Sequence, residues 1–215
     1  MSMFNKIGVL HKRRGFDATD EMKAYFGKDL TYYEIPEGVT EIRSYCFYNF
    51  WNAEGLTIKL PRTVKRIAPY AFTECSIHEI VIPGSVKVID DFAFFGTGMT
   101  KVVFEEGIEH IGEGAFKWGP ILDKIVIPDS VKYIGKDAFS GMNFTAGGSY
   151  VEIGEGVEFI GDGAFESPIE KLIIHKPFGS MQDGSVSYYD DEGVKVDARW
   201  YGGFTDNPIA IWDGG

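Results

Sequence analysis

Cysteine is scarce in this chain of 215 residues: only Cys46 and Cys75 occur. A secreted domain held together by cross-links uses more, so disulfides do not stabilise this fold and both thiols are expected to be free. Positive charge is short as well, with 21 Lys and Arg against 32 Asp and Glu and a formal net charge of -11. The average field repels phosphate backbones, which disfavours nucleic acid and anionic lipid as partners. The local exception is the first 28 residues, where Lys6, Lys12, Arg13, Arg14, Lys23 and Lys28 outnumber the acids. That cluster reads as a solvated cap surface. No stretch approaches the roughly 18 apolar residues of a membrane-spanning helix. The opening MSMFNKIGVLHKRRGF has an apolar run of only Ile7 to Leu10, followed by basic residues and no cleavage site. From the sequence alone no signal peptide is visible, and the expectation is a soluble chain that either stays in the cytoplasm or has had its leader removed.

Motifs that carry chemistry are missing too. The four histidines, His11, His78, His110 and His175, show no metal-ligand spacing, and no serine or cysteine stands in a nucleophile motif. Asp183 with Asp190, Asp191 and Glu192 offers oxygen ligands, but at no EF-hand spacing, and reads as a solvated acidic loop. The glycines of GEG, GDG and IGxxAF recur in step with a turn and no Walker lysine follows, so they are turn residues and not a phosphate cradle. Asn143, Phe144 and Thr145 form a glycosylation sequon that matters only in a glycosylating compartment. No catalytic residue, metal or cofactor is expected.

What the chain has in abundance is one sentence rewritten. PRTVKRIAPYAF from Pro61, PGSVKVIDDFAF from Pro83, EEGIEHIGEGAF from Glu105 and PDSVKYIGKDAF from Pro128 align without gaps. PEGVTEIRSYCF from Pro36 and GEGVEFIGDGAF from Gly154 complete six copies. The anchoring Val39, Val64, Val86, Ile108, Val131 and Val157 are 25, 22, 22, 23 and 26 positions apart, a leucine-rich-repeat period. With 44% apolar and 25% charged residues, nearly the whole chain is expected to fold.

Each unit ends in LxxLxL, a short strand whose apolar residues face inward: Ile77, Ile80, Ile82; Met99, Val102, Phe104; Leu122, Ile125, Ile127; Ile169, Leu172, Ile174. Leu30, Tyr33, Ile35 precede the first full repeat, and Gly55, Ile58, Leu60 and Gly148, Val151, Ile153 are weaker copies. This predicts seven parallel rungs. Phe47, Phe72, Phe94, Phe116, Phe139 and Phe165 should stack as an internal spine beside a small neighbour, alanine in five repeats and Cys46 in the first.

These residues resemble the BspA-type leucine-rich repeat, with its proline-led VxxIGxxAF turn stepping into LxxLxLP, over about Leu30 to Ile174. The resemblance implies a leucine-rich-repeat solenoid of short parallel strands with turns and short helical pieces, in a bacterial surface or secreted protein engaged in adhesion or protein binding. Cys75 stands where many members carry a cysteine in AFxxC; the other repeats here lack it.

The organisation expected is an N-terminal cap over 1–29 with a short helix from Asp17 to Phe26, a solenoid over 30–174, and a C-terminal cap or small appended segment over 175–215. Equal positions of successive rungs stack into columns about 4.8 Å apart. One outward column reads Glu34, Lys59, Val81, Val103, Val126, Glu152, Ile173, and the next Tyr32, Thr57, Glu79, Lys101, Lys124, Tyr150, Lys171. Stacked valines beside lysines have the form of an interface core and rim; the plainer reading is that valine suits an exposed strand. Lys59, Val81, Val103, Val126, Lys101, Lys124 and Tyr150 are the partner-binding candidates. Longer repeats place their extra residues after Ala-Phe, giving an edge with Phe50, Trp51, Phe95, Trp118 and Phe144, of which Trp118 is expected to fold back over its own repeat. The function expected is a non-enzymatic protein-binding scaffold with an unknown protein or glycan partner. A carbohydrate-binding surface module using the aromatic edge is the first alternative, and an enzyme using the C-terminal segment is the more distant one.

Overall fold

The structure is a computed structural model. It describes residues 31–175, except positions 36, 52–53, 120, 123, 145–149, 168 and 170, together with strand segments 184–189, 195–201, 204–205 and 210–212. The described residues form a stack of coils, each with three sides. On the first lie Tyr32–Glu34, Leu56–Lys59, Ile77–Ile82, Lys101–Phe104, Lys124–Ile127, Tyr150–Ile153 and Lys171–Ile174, the seven expected strands. On the second, two-residue strands from Glu41–Ile42 to Phe159–Ile160 form one six-stranded parallel sheet. Strand alternation explains the first side. Ile58, Ile80, Ile125, Ile127, Val151, Ile153, Leu172 and Ile174 point in and are 2% exposed or less, while their neighbours point out.

The third side is the Ala-Phe turn, and its backbone bonds run along the axis as the strands' do. Phe92, Phe94 and Gly96 donate their N–H groups to the carbonyls of Glu113, Ala115 and Lys117 on the next coil, at 2.8, 2.7 and 2.9 Å. Aiming alternate N–H groups along the axis takes left-handed backbone at the first and last of these three positions. Gly114, Gly163, Gly96 and Gly141 meet that need without strain. Tyr45, Tyr70, Phe92 and Asp137 hold the same first position in other coils, and Asn49, Glu74 and Trp118 the last, all at φ between 51° and 61°. A side chain there costs about 1–2 kcal/mol, which the ladder on either side overrides.

Inside, the six phenylalanines stack as expected, with centroids 4.9, 4.9, 5.0, 5.1 and 5.3 Å apart and planes within 9°. Ala71, Ala93, Ala115, Ala138 and Ala164 beside them have no exposed surface, so a larger residue has nowhere to go. Close approach also dictates glycine at the proline-led turn. A Cβ on Gly84 would fall 1.7 Å from the Glu106 carbonyl oxygen, and one on Gly107, at φ 125°, only 2.1 Å from that of Gly84.

Among the described residues the connections are turns, with no short helical pieces; the Asp17 to Phe26 helix and Leu30 lie outside them, as does Gly148. In the second rung Leu56, fully buried, is the inward residue, and Gly55 is a left-handed turn residue; a bulge there matches Leu56 to Ile77 and Ile58 to Ile80. Val102 and Phe104 are only partly buried. Finally, among the described residues the strand face is two four-stranded sheets, with no ladder joining Lys101–Phe104 to Lys124–Ile127. At that place Phe104 stands where other strands have isoleucine, its edge turned to Phe116 and Phe139 at 5.4 and 6.3 Å. After the last coil, Ala210–Trp212 pairs in parallel with Lys171–Ile174, and Gly184–Tyr189, Lys195–Tyr201 and Phe204–Thr205 form an antiparallel sheet.

Truncating the mid-spine residue, Phe116→Ala, empties a position whose neighbours are stacked too rigidly to collapse, and is expected to cost about 3–5 kcal/mol by urea unfolding. A loss below about 1 kcal/mol, the range of surface changes, would refute the spine's role. Cys46 and Cys75 are buried and unpaired. Burial pushes the Cys46 thiol from 9.0 up to about 12 and raises Cys75 further. Thiol titration should find both groups inert in the native protein near neutral pH and two free groups after unfolding without reductant. Because the folded thiols hold their protons more tightly than unfolded ones, their stabilisation is present below about pH 9 and falls as pH rises toward 12. Urea midpoints across that range should show the decline, and a Cys46→Ala, Cys75→Ala variant should lessen it, the remainder coming from the buried Tyr33 phenol, which burial likewise raises to about 12.

Candidate binding surface

The strand face of the first sheet is concave, with a groove of about 630 Å3. Its floor is set by register: Val81 pairs with Val103, and Glu79 with Lys101, so each column continues from coil to coil. Val81 and Val103 are 48% and 40% exposed, apolar side chains at the centre of a charged rim. On one side Lys59 Nζ reaches Glu34 Oε1 at 2.7 Å, and that hydrogen bond and charge hold the Glu34 carboxyl below its usual range and the Lys59 ammonium above its own. On the other side Arg62 reaches past one coil to Glu105, at 2.9 Å, while the second Glu105 oxygen accepts the Gly84 N–H. Lys101 lies 3.9 Å from Glu79. All of these pairs face solvent, so salt screens them and they contribute little to folding.

The groove thus brings together Lys59, Val81, Lys101 and Val103 of the candidate residues. Val126, 41% exposed, lies beyond the break in the ladder on the second sheet, where the Lys124 ammonium sits 5.9 Å over the Tyr150 ring. The expected run of three hydrogen-bonded valine rungs is therefore a directly paired two, with the third on the neighbouring sheet. Arg62 and Glu105 escaped sequence reading because they sit in the proline-led turns, and only the packed turn shows that they lean over the strand face.

The aromatic edge fares differently. Phe50 is 2% exposed and belongs to the core. It stands three residues after Phe47, the inward place that Cys75, Thr97 and Met142 fill in other coils, so counting it with the loop insertion misread its register. Trp51 is 67% exposed and Trp118 63%, so Trp118 does not fold back over its own repeat. Its left-handed backbone carries the ring over Gly141 of the next coil, where a Cβ would come within 2.1 Å of it. Phe95 is half-buried, tilted against Trp118 at 5.4 Å. The side chain of Phe144 lies outside the described residues. Sequence reading passed over Tyr45, Tyr48, Tyr70 and Phe92, whose rings also reach the surface of the third side.

Among the described residues no group of three histidine, cysteine or acidic side chains stands close enough to hold a metal ion, and no helix is long and apolar enough to cross a membrane. His110 stacks on Tyr133 at 4.5 Å and His175 pairs with Glu152 at 2.7 Å, each on its own face of the stack.

No curated protein and no solved structure shows a significant match to the chain. One family does match, the BspA type leucine rich repeat region, in six copies over residues 21–145 and 116–190. That range takes in the coils, the phenylalanine spine and the strand face described above, and the chain belongs to the BspA-type leucine-rich-repeat family.

Proposed function

We propose that the chain is a non-enzymatic protein-binding scaffold whose working surface is the strand-face groove. A repeat-based interaction scaffold is what the family provides. The observation that carries the finer reading is the exposed pair Val81 and Val103, hydrogen-bonded in register and flanked by Lys59 and Lys101. An apolar centre within a charged rim is the arrangement in which a partner's side chains become desolvated while peripheral charges set orientation. Lys124, Val126 and Tyr150 extend the surface across the break. We read residues 1–29 and 175–215 as the caps, the latter supported by the pairing of Ala210–Trp212 with the last coil. The partner is a protein, and adhesion at a bacterial surface is the setting that the family resemblance favours.

Val103→Asp places a carboxylate at the centre of this surface, where burial against a partner is most costly. It is expected to lower partner capture about tenfold or more, with unfolding stability changed by less than about 1 kcal/mol. The control is Lys65→Asp on the opposite side, exposed and free of the Glu109 pairing that Lys87 makes. Pull-downs with surface extract of the source organism, with circular dichroism on both variants, make the comparison. Equal capture by the two would move the binding site off the strand face.

A further inference from the structure

The third side of the stack carries a second concavity. Tyr45, Tyr70 and Phe92 occupy its left-handed column on three successive coils, their rings stacked at 5.2 and 5.3 Å and within 10° of parallel. On the two outer coils Tyr48 and Phe95 turn edge-on to that row, at 76° to Tyr45 and 69° to Phe92. The middle coil has the smaller Thr73 at the equivalent place, buried, with its hydroxyl donating to the Phe92 carbonyl. The result is a notch of about 430 Å3, floored by Thr73 and Tyr70 and walled at each end by a pair of rings.

Folding does not require these rings. Gly114 and Gly163 satisfy the same column without strain, so three bulky residues are held there against local preference. Nor are their polar ends used internally: among the described residues, the Tyr45, Tyr48 and Tyr70 hydroxyls have no partner. No charged side chain lines the notch. Exposed acids flank it instead: Asp91, next to Phe92, accepts the Glu113 N–H at 2.8 Å, and Glu74, next to Thr73 on the middle coil, donates its N–H to the Phe95 carbonyl.

We propose that this notch binds a proline-rich segment in the polyproline II conformation, with a basic residue toward Glu74 and Asp91. The spacing is the main argument. A polyproline II helix repeats every three residues, about 9.3 Å, and two coil steps of this solenoid separate the aromatic walls by about the same distance. Prolines one turn apart therefore meet the two walls, with the intervening residues above Tyr70 and Thr73. Such a helix has no internal hydrogen bonds, and its carbonyls can accept from the three free phenol hydroxyls. A glycan would want carboxylates or amides within the lining, and the notch has neither. Exposed Glu74 and Asp91 beside the notch, on a chain of net charge -11, add the attraction for a basic flank.

The probe is a synthetic oligoproline peptide with an arginine at each end, titrated by calorimetry into the intact protein. Tyr70→Gly and Phe92→Gly remove floor and wall while placing at those positions the residue that other coils carry, so thermal unfolding should show both variants folded. Saturable binding by the native protein, weakened about tenfold or more in either glycine variant, is the expected result. Tyr70→Phe, which removes one hydroxyl and keeps the ring, should fall between. Val103→Asp should bind the peptide as the native protein does, so this test stands or falls apart from the strand-face reading. No saturable binding, equal binding by the glycine variants, or equal binding of a glycine-serine peptide with the same arginines would overturn the proposal. So would binding of cellohexaose in place of the peptide, which would make the notch a glycan site.

Discussion

Everything in this molecule depends on hydrogen bonding along the stack. A single coil has one strand of three to six residues, one of two residues and one turn, too little to bury its apolar side chains or satisfy its backbone by itself. Its neighbours complete both. Strand ladders do so on two sides, and on the third the N–H groups at and around each phenylalanine reach carbonyls of the next coil at 2.7 to 3.3 Å. This is why inward positions recur so strictly, and why Ala93, Phe94, Val86 and Ile89 have counterparts in coil after coil.

The same axial demand explains where strain is stored. A turn that must aim alternate N–H groups along the axis needs left-handed backbone twice per coil. Glycine supplies it in some coils, and aromatic, acidic or amide residues supply it in others. Because the spine and the ladders above and below hold each turn in place, the stack tolerates these residues, and it presents their rings outward in rows. Strain at one position thus becomes an aromatic surface on one side of the solenoid.

The strand face has a different origin. Outward residues there lie in register because the strands are paired, and where pairing fails the surface divides. Lys101–Phe104 and Lys124–Ile127 are neighbours without a ladder, and the partly buried Phe104 fills the space beside Phe116 and Phe139. Val81 and Val103 consequently form a coherent apolar centre, while Val126 belongs to the second sheet. A rigid stack with shallow grooves on separate sides suits recognition of chains and surfaces more than enclosure of a small substrate.

The sequence by itself determined the repeat, the spine and most of the strand residues that face inward, because period and alternation are one-dimensional properties that survive without coordinates. Phe72 to Phe165 and Val64 to Val157 could be read this way, and so could the columns holding Val81, Val103, Lys59 and Lys101. Tertiary structure decided what depends on the path of a turn. Phe50 goes inward because the turn after Ala-Phe brings its third residue into the core; Gly55 yields its place to Leu56 because a bulge shifts the register by one. Arg62 and Glu105 reach the strand face, and Tyr45, Tyr70 and Phe92 line up on another, only because backbone torsions in the turns aim them there. Torsions of that kind answer to hydrogen-bond partners more than twenty residues away, which no local pattern contains.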